Sequence, residues 1–171
     1  MDTNRQVEQL FERYSDMVYR IAISYGNHVQ MAEDIVQEVF LRVLRHSPSF
    51  QNPEHEKAWF VRVTINCCKS TLSSAWLKRV QPFAENAREL SAETFCHEEE
   101  QELYETLGKL PAKYRIVLYL RYFEEYQVNE IAAMLHILPN TVSKRLARAK
   151  KMLKQELSVT DYVTVKPKAE L

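Results

Sequence analysis

Glycine occurs only twice in this chain of 171 residues, and proline six times. That scarcity limits the possible fold more tightly than anything else in the sequence. β-Sandwiches and barrels turn about every 8–12 residues and place glycine, proline or asparagine at the turns. A chain with so few breakers must run in long uninterrupted segments, and the α-helix is the segment that tolerates this. Hydrophobic residues make up 46% of the sequence, enough to bury a core, so wholesale disorder is excluded.

Apolar residues at three- and four-residue steps locate the helices. Val7, Leu10, Phe11, Tyr14, Met17, Val18, Ile21, Ala22 and Tyr25 predict a helix over 4–25, with Gly26 as a left-handed stop. Ala32, Ile35, Val36, Val39, Phe40, Val43 and Leu44 predict a second over 29–45. The segment 46–53 holds Pro48 and Pro53 and reads as a loop. Ala58, Val61, Ile65, Cys68 and Leu72 predict a third helix over 54–78. Periodicity fades over 78–97 and resumes with Leu103, Leu107 and Leu110, after which Pro111 can open a helix lined by Ile116, Val117, Leu120 and Phe123. A short helix over 128–135 and a last one over 139–157 complete the pattern. The expectation is an all-α protein of two small helical domains, 1–77 and 98–157, joined by a flexible linker, 78–97, and ending in a tail, 158–171.

Charge separates the parts. Lys and Arg balance Asp and Glu at 23 each, but residues 111–171 hold 11 basic and 6 acidic residues, while 71–110 hold 4 and 8. A basic C-terminal third on a neutral whole suggests a nucleic-acid contact that is weak by itself, because phosphate neutralisation supplies most non-specific affinity. A larger partner is then expected. No apolar run approaches the roughly 18–20 residues of a membrane span, and Met1-Asp2-Thr3-Asn4-Arg5 lacks a signal peptide's apolar stretch. A cytoplasmic protein with no membrane insertion is expected. Cys67, Cys68 and Cys96 are odd in number and form no paired C-x-x-C spacing, even with His97 beside Cys96. Ordinary thiols are expected, with no metal and no cofactor. No nucleophile–base constellation or phosphate loop is present, so no enzyme is expected.

The clearest motif is C-terminal. Gln127–Leu135, the segment His136-Ile137-Leu138, and Pro139–Lys151 have the layout of a helix-turn-helix. Ala132 is small where the two helices would touch, Ile137 would plug the turn, and Val142, Leu146, Ala149 and Leu153 form the inward stripe. Opposite lie Asn140, Thr141, Lys144, Arg145, Arg148 and Lys151, and the stretch 144–154 carries six basic residues and no acidic one. The first turns of such a helix enter the major groove, which places Asn140, Thr141, Lys144 and Arg145 at base edges or phosphates.

Two surfaces are candidates in the N-terminal part. The second helix leaves Asp34, Gln37, Glu38, Leu41 and Arg45 on its outer face, where an apolar residue rimmed by charge suits a docking surface or is simply a solvated face. In the third helix, Trp59 to Asn66 mixes aromatic, basic and amide side chains, a mixture able to stack and hold single-stranded DNA. Phe60 reads as core, and Trp59 reads either way.

Together, Ala32–Val43, Trp59–Asn66, Leu110–Arg115 and Glu130–Ala149 resemble the extracytoplasmic-function (ECF) group of the sigma-70 family, over most of the chain from Leu10 to Leu153. The resemblance implies a transcription initiation factor that directs core RNA polymerase to promoters and helps melt the −10 region. It implies that 1–77 is region 2 and 98–157 is region 4. Asp34, Gln37, Glu38 and Leu41 would dock on the polymerase. The loop 46–56, with Phe50, would capture an unstacked −10 base beside Trp59, Arg62, Asn66 and Lys69. Asn140, Thr141, Lys144, Arg145 and Arg148 would read the −35 element. The implied partners are RNA polymerase core, promoter DNA and an anti-sigma factor. Three places depart from the family pattern: His136 and Asn140 stand where glycine is usual, and Cys67-Cys68-Lys69-Ser70 replaces a more polar run. Asparagine tolerates a left-handed backbone, so its change is the milder. Two other readings compete. A stand-alone helix-turn-helix regulator would bind duplex DNA tightly without polymerase, and a protein-binding helical module would touch no DNA.

Overall fold

The computed structural model describes residues 3–74 and 106–157. The chain divides into two compact units, Met1–Ala87 and Arg88–Leu171. Every regular element among the described residues is helical. None of these helices is long and apolar enough to cross a membrane. The expected linker 78–97, Leu103, Cys96 and the tail 158–171 lie outside the described residues.

The N-terminal unit is three helices: α1 (Thr3–Gly26), α2 (Val29–His46) and α3 (Pro53–Ser73). Their shared core is Leu10, Tyr14, Val18 and Ala22 from α1, Met31, Ile35, Val39 and Val43 from α2, and Phe60, Cys67 and Cys68 from α3. Tyr14 stacks on Phe60 with ring centroids 4.4 Å apart, and Phe40 tilts against Phe60 at 5.6 Å. Buried side chains of this size stabilise by roughly 1.5–3 kcal/mol each. Thr64 is also fully buried, and it is tolerated there because its hydroxyl donates to the Phe60 carbonyl at 2.6 Å.

The joints differ from expectation in instructive ways. Gly26 is not the left-handed stop; Asn27, with φ 50°, is. Gly26 instead lies close under Met31: a Cβ there would sit 2.5 Å from Met31 Sδ and 2.8 Å from its Cε, so the end of that side chain would have to shift. The start of α2 is capped by His28, whose side chain accepts from the Met31 N–H, and its end by Ser47 at φ 41°. Helix α3 is capped by Asn52, which accepts from the His55 N–H at 2.7 Å, with Pro53 leading the first turn. It ends at Ser73, short of the expected 78. The hydroxyls of Ser73 and Ser74 donate to the carbonyls of Ser70 and Thr71, and Ser74 turns extended. The serine run competes for the backbone groups that would continue the helix.

The apolar faces are narrower than their stripes. Leu44 and Phe11, both expected inward, are 44% and 46% exposed. Leu44 lies about 100° round α2 from Val43, beyond the arc that α1 and α3 cover. Phe11 sets its ring against Phe40, with centroids 4.8 Å apart.

The described part of the second unit opens with a helical turn at 106–108; Leu107 within it and Leu110 just after it are buried. Pro111 stands just ahead of α4 (Ala112–Leu118) rather than inside it. Arg115 clasps this junction, donating to the carbonyls of Leu110 at 2.5 Å and Gly108 at 3.4 Å. Burial pulls its guanidinium down to about 10. Helix α4 runs on into a π-helical turn, Tyr119–Phe123, closed by the Glu124 N–H to the Tyr119 carbonyl. Then come α5 (Val128–Leu135) and α6 (Pro139–Leu157). Phe123, expected to line the core, is turned outward by the π turn and stacks on Tyr119 at 5.4 Å.

A shared carboxylate, Glu56, helps tie α1 to the start of α3. Tyr14 donates its hydroxyl to Glu56 Oε1 at 2.9 Å, and Arg13 donates to the same oxygen at 2.6 Å. Burial first, and the bond to Glu56 second, push the Tyr14 phenol from 10.0 up to about 12. The stability this provides is fully present below pH 10 and is lost as the pH rises towards 12. Thermal melts should therefore show the wild-type Tm falling more steeply than that of Tyr14→Phe between pH 10 and pH 12.

Candidate polymerase and DNA surfaces

On the outer side of α2, Asp34, Gln37 and Leu41 are exposed and Glu38 is half-exposed. Glu38 accepts from Arg42 Nε at 2.8 Å, and Asp34 accepts from Gln30 at 3.1 Å. Both partners lie on α2 itself, so these carboxylates do not tie the helix to its own bundle. Leu41, 43% exposed, and Leu44 add an apolar band beside the acids. The sequence misplaces Leu44 because a periodic stripe does not show how wide an arc two neighbouring helices can cover.

The aromatic site lies at the entry to α3. Phe50 is half-buried in the segment between α2 and α3, edge-on to Trp59 at 5.7 Å and to His55 at 5.9 Å. Trp59 packs its ring edge-on to Phe60 at 5.1 Å and is itself half-buried. Phe60 is core. The two readings of Trp59 therefore resolve into one: it lies over the core while keeping surface open. Arg62 and Asn66 are exposed and Lys69 is half-buried. With Trp59 they follow at steps of three, four and three, which puts all four on one side of α3. Cys67 and Cys68 are buried, and burial pushes both thiols up. The unusual cysteine pair thus faces the interior and interrupts nothing on the outer side.

In the second unit α5 and α6 pack as the helix-turn-helix layout requires. Gln127 and Glu130 form a reciprocal cap on α5, with the Gln127 N–H donating to Glu130 at 2.7 Å. Ala132 is buried. His136 takes the left-handed conformation, φ 55° and ψ 46°, and Ile137 donates its N–H back to the Ala132 carbonyl at 3.0 Å. Asn140 is not left-handed; it belongs to the first turn of α6, so only one of the two missing glycines carries strain. Val142, Leu146 and Ala149 are buried, and Leu153 is half-buried.

Opposite that stripe, Asn140, Lys144, Arg148 and Lys151 are exposed, whereas Thr141 and Arg145 are half-buried on its flank. Ala147 is also exposed, and the charge pattern does not single it out. Steps of four, three and four from Asn140 through Lys144 and Ala147 to Lys151 would find it. Lys150 points aside, its ammonium 5.2 Å from the ring centre of Tyr122 on the π turn. That contact has no signal in the sequence, because a π turn shifts the register that helical spacing assumes. Among the described residues, no group of three His, Cys, Asp or Glu side chains could hold a metal ion.

Comparison with known proteins covers both units. The family model described as Sigma-70 region 2 matches residues 10–95, and that for Sigma-70, region 4 matches residues 100–153. The RNA polymerase sigma factor SigV of Bacillus subtilis (strain 168) is 34% identical over 143 residues, covering 84% of this chain and 86% of that protein. The ECF RNA polymerase sigma factor SigW of the same organism is 28% identical over 158 residues, covering 84% of each. The ECF RNA polymerase sigma factor SigE of Mycolicibacterium smegmatis is 27% identical, and the match spans 61% of its length. In structure, the sigma factor RpoE solved with the anti-sigma factor NepR from Bartonella quintana matches with a TM-score of 0.69 at 20% identity, over 91% of this chain and 99% of that one. CnrH, solved with the cytosolic domain of CnrY, matches with a TM-score of 0.60 at 23% identity, over 93% and 92%.

The left-handed His136 gives a direct test of the local geometry. A residue with a Cβ in this conformation costs roughly 1 kcal/mol against glycine. His136→Gly should raise the Tm of the second unit's transition by about 4 °C in calorimetry.

Proposed function

The chain belongs to the sigma-70 family, in its extracytoplasmic-function group, and from that premise we infer that it is the promoter-recognition subunit of RNA polymerase. One observation carries the division of labour. An N-terminal bundle with acids and leucines on the open side of α2 is followed in the same chain by a helix-turn-helix whose last helix bears six cations over 144–154. Asp34, Gln37, Glu38 and Leu41 dock on the polymerase core. Phe50, Trp59, Arg62, Asn66 and Lys69 hold the opened −10 strand, with rings for stacking and cations for phosphate. Asn140, Thr141, Lys144, Arg145 and Arg148 meet the −35 duplex, the arginines being able to read guanine in two-point fashion.

The energetics explain why both contacts are needed. A chain of zero net charge binds DNA weakly on its own. Holding both units on one polymerase turns the second contact into an intramolecular event and raises its effective concentration. Opening the duplex costs a few kcal/mol per unstacked base, which stacking on protein rings partly offsets. In this role the chain positions DNA and leaves the chemistry of RNA synthesis to the polymerase, so it is not itself an enzyme. It works where polymerase and DNA are, in the cytoplasm. By kinship with RpoE, which was solved with the anti-sigma factor NepR, an anti-sigma protein is a further proposed partner.

Run-off transcription with core polymerase on genomic DNA tests the reading: start sites absent with core alone should appear when this chain is added. Replacing Asp34 and Glu38 together by Lys should abolish co-purification with core. Replacing Arg145 and Arg148 by Ala should leave core binding intact. It should lower promoter affinity at least tenfold and flatten the dependence of log K on log salt by about one unit for each phosphate left without its cation. A chain that starts no transcription and binds no core would sink the proposal.

A further inference from the structure

Leu138 is the most exposed large apolar side chain among the described residues, at 72%. Its position makes that exposure unfavourable twice. Its carbonyl accepts from the N–H groups of Thr141 at 2.9 Å and Val142 at 3.2 Å, and α6 begins at Pro139, so Leu138 holds the N-cap place. Ser, Thr, Asp and Asn are favoured there because their side chains accept an otherwise orphaned N–H, and leucine offers no acceptor. Packing does not require a leucine either: the side chain is 72% exposed, whereas the neighbouring Ile137 is half-buried. The sequence thus keeps an apolar residue where both capping and solvation disfavour it. It keeps it within about two turns of Asn140, Thr141 and Lys144, at the end of α6 that leads into a major groove.

We propose that Leu138 is a specificity residue, packing on the C5 methyl of a thymine in the −35 element. The inference rests on the sigma-factor reading given above. In the major groove thymine offers the one apolar group among the four bases, while cytosine carries only hydrogen at the same carbon. An apolar side chain with no donor or acceptor gains nothing from a phosphate or a guanine edge, but gains from excluding water against a methyl. The lysines Lys144 and Lys151 on the same helix supply attraction to the backbone without sequence preference. Leu138 adds what they lack, a contact present at thymine and absent elsewhere.

The test uses holoenzyme assembled with the full chain on a promoter obtained by start-site mapping. Each thymine of the −35 element is replaced in turn by deoxyuridine, which deletes the methyl and keeps the pairing. At one thymine the wild-type holoenzyme should lose about fourfold in affinity, the worth of one buried methyl. Leu138→Ala holoenzyme should lose nothing further at that position and should match the wild type at the rest. Leu138→Ser should raise the Tm of the second unit by about 4 °C through restored capping while weakening promoter binding. Equal responses of wild type and Leu138→Ala at every thymine would overturn the proposal. A −35 element without thymine, a lowered Tm for Leu138→Ser, or a loss of core binding by Leu138→Ala would also overturn it. Failure of the wild-type holoenzyme to initiate at all would instead strike at the sigma-factor reading.

Discussion

A helix in a three-helix bundle is covered on two sides and left open on the rest. That limit governs the N-terminal unit. Helix α2 buries Ile35, Val39 and Val43 in the core it shares with α1 and α3. Its outer side must be satisfied by solvent or by a partner. Gln37, Leu41 and Leu44 follow there at steps of four and three, beside Asp34 and Glu38. Charge alone would keep such a side in water; charge interleaved with two exposed leucines makes it a surface that gains from being covered. Helix α3 meets the same limit differently. Its open side carries Arg62, Asn66 and Lys69, while the aromatic pair Phe50 and Trp59 closes the core at one end and stays half in solvent. One bundle thereby presents two surfaces of different chemistry without needing a larger core.

Sequence periodicity captures the elements well because most of these helices obey one period from end to end. It places the last two at 128–135 and 139–157, and these are the bounds that α5 and α6 have. What periodicity misjudges has physical causes that pattern alone does not hold. Leu44 and Phe11 continue a stripe but lie past the arc that neighbours cover. Gly26 looks like a turn residue because glycine commonly is one, yet it lies in α1 close under the end of the Met31 side chain, and the turn falls to Asn27. Phe123 follows the α period up to a π turn that rotates it outward. Ser73 ends α3 early through side-chain bonds to the backbone that no hydrophobic count registers. The same limits apply to the candidate sites: the outer side of α2 is legible as far as Leu41, and α6 is legible except for Ala147, which carries no charge to draw notice.

Compensation of local faults distinguishes the two irregular residues of the helix-turn-helix. His136 adopts a left-handed backbone that glycine would take without strain, and its side chain is exposed. The rest of the turn carries that cost: the reciprocal cap of Gln127 and Glu130, the Ile137 N–H returned to Ala132, and the buried row of Val142, Leu146 and Ala149 over-determine the geometry. Leu138 differs in kind, because its fault lies on the surface, where no packing in the unit can offset it. A strained backbone is a cost that a well-packed domain can absorb, so His136 marks only how much margin the turn has. An exposed apolar cap is a cost that burial against something else removes, so Leu138 points outward from the domain. The chain's own energetics therefore leave Leu138, at the start of α6, as a side chain that gains from a contact outside the domain.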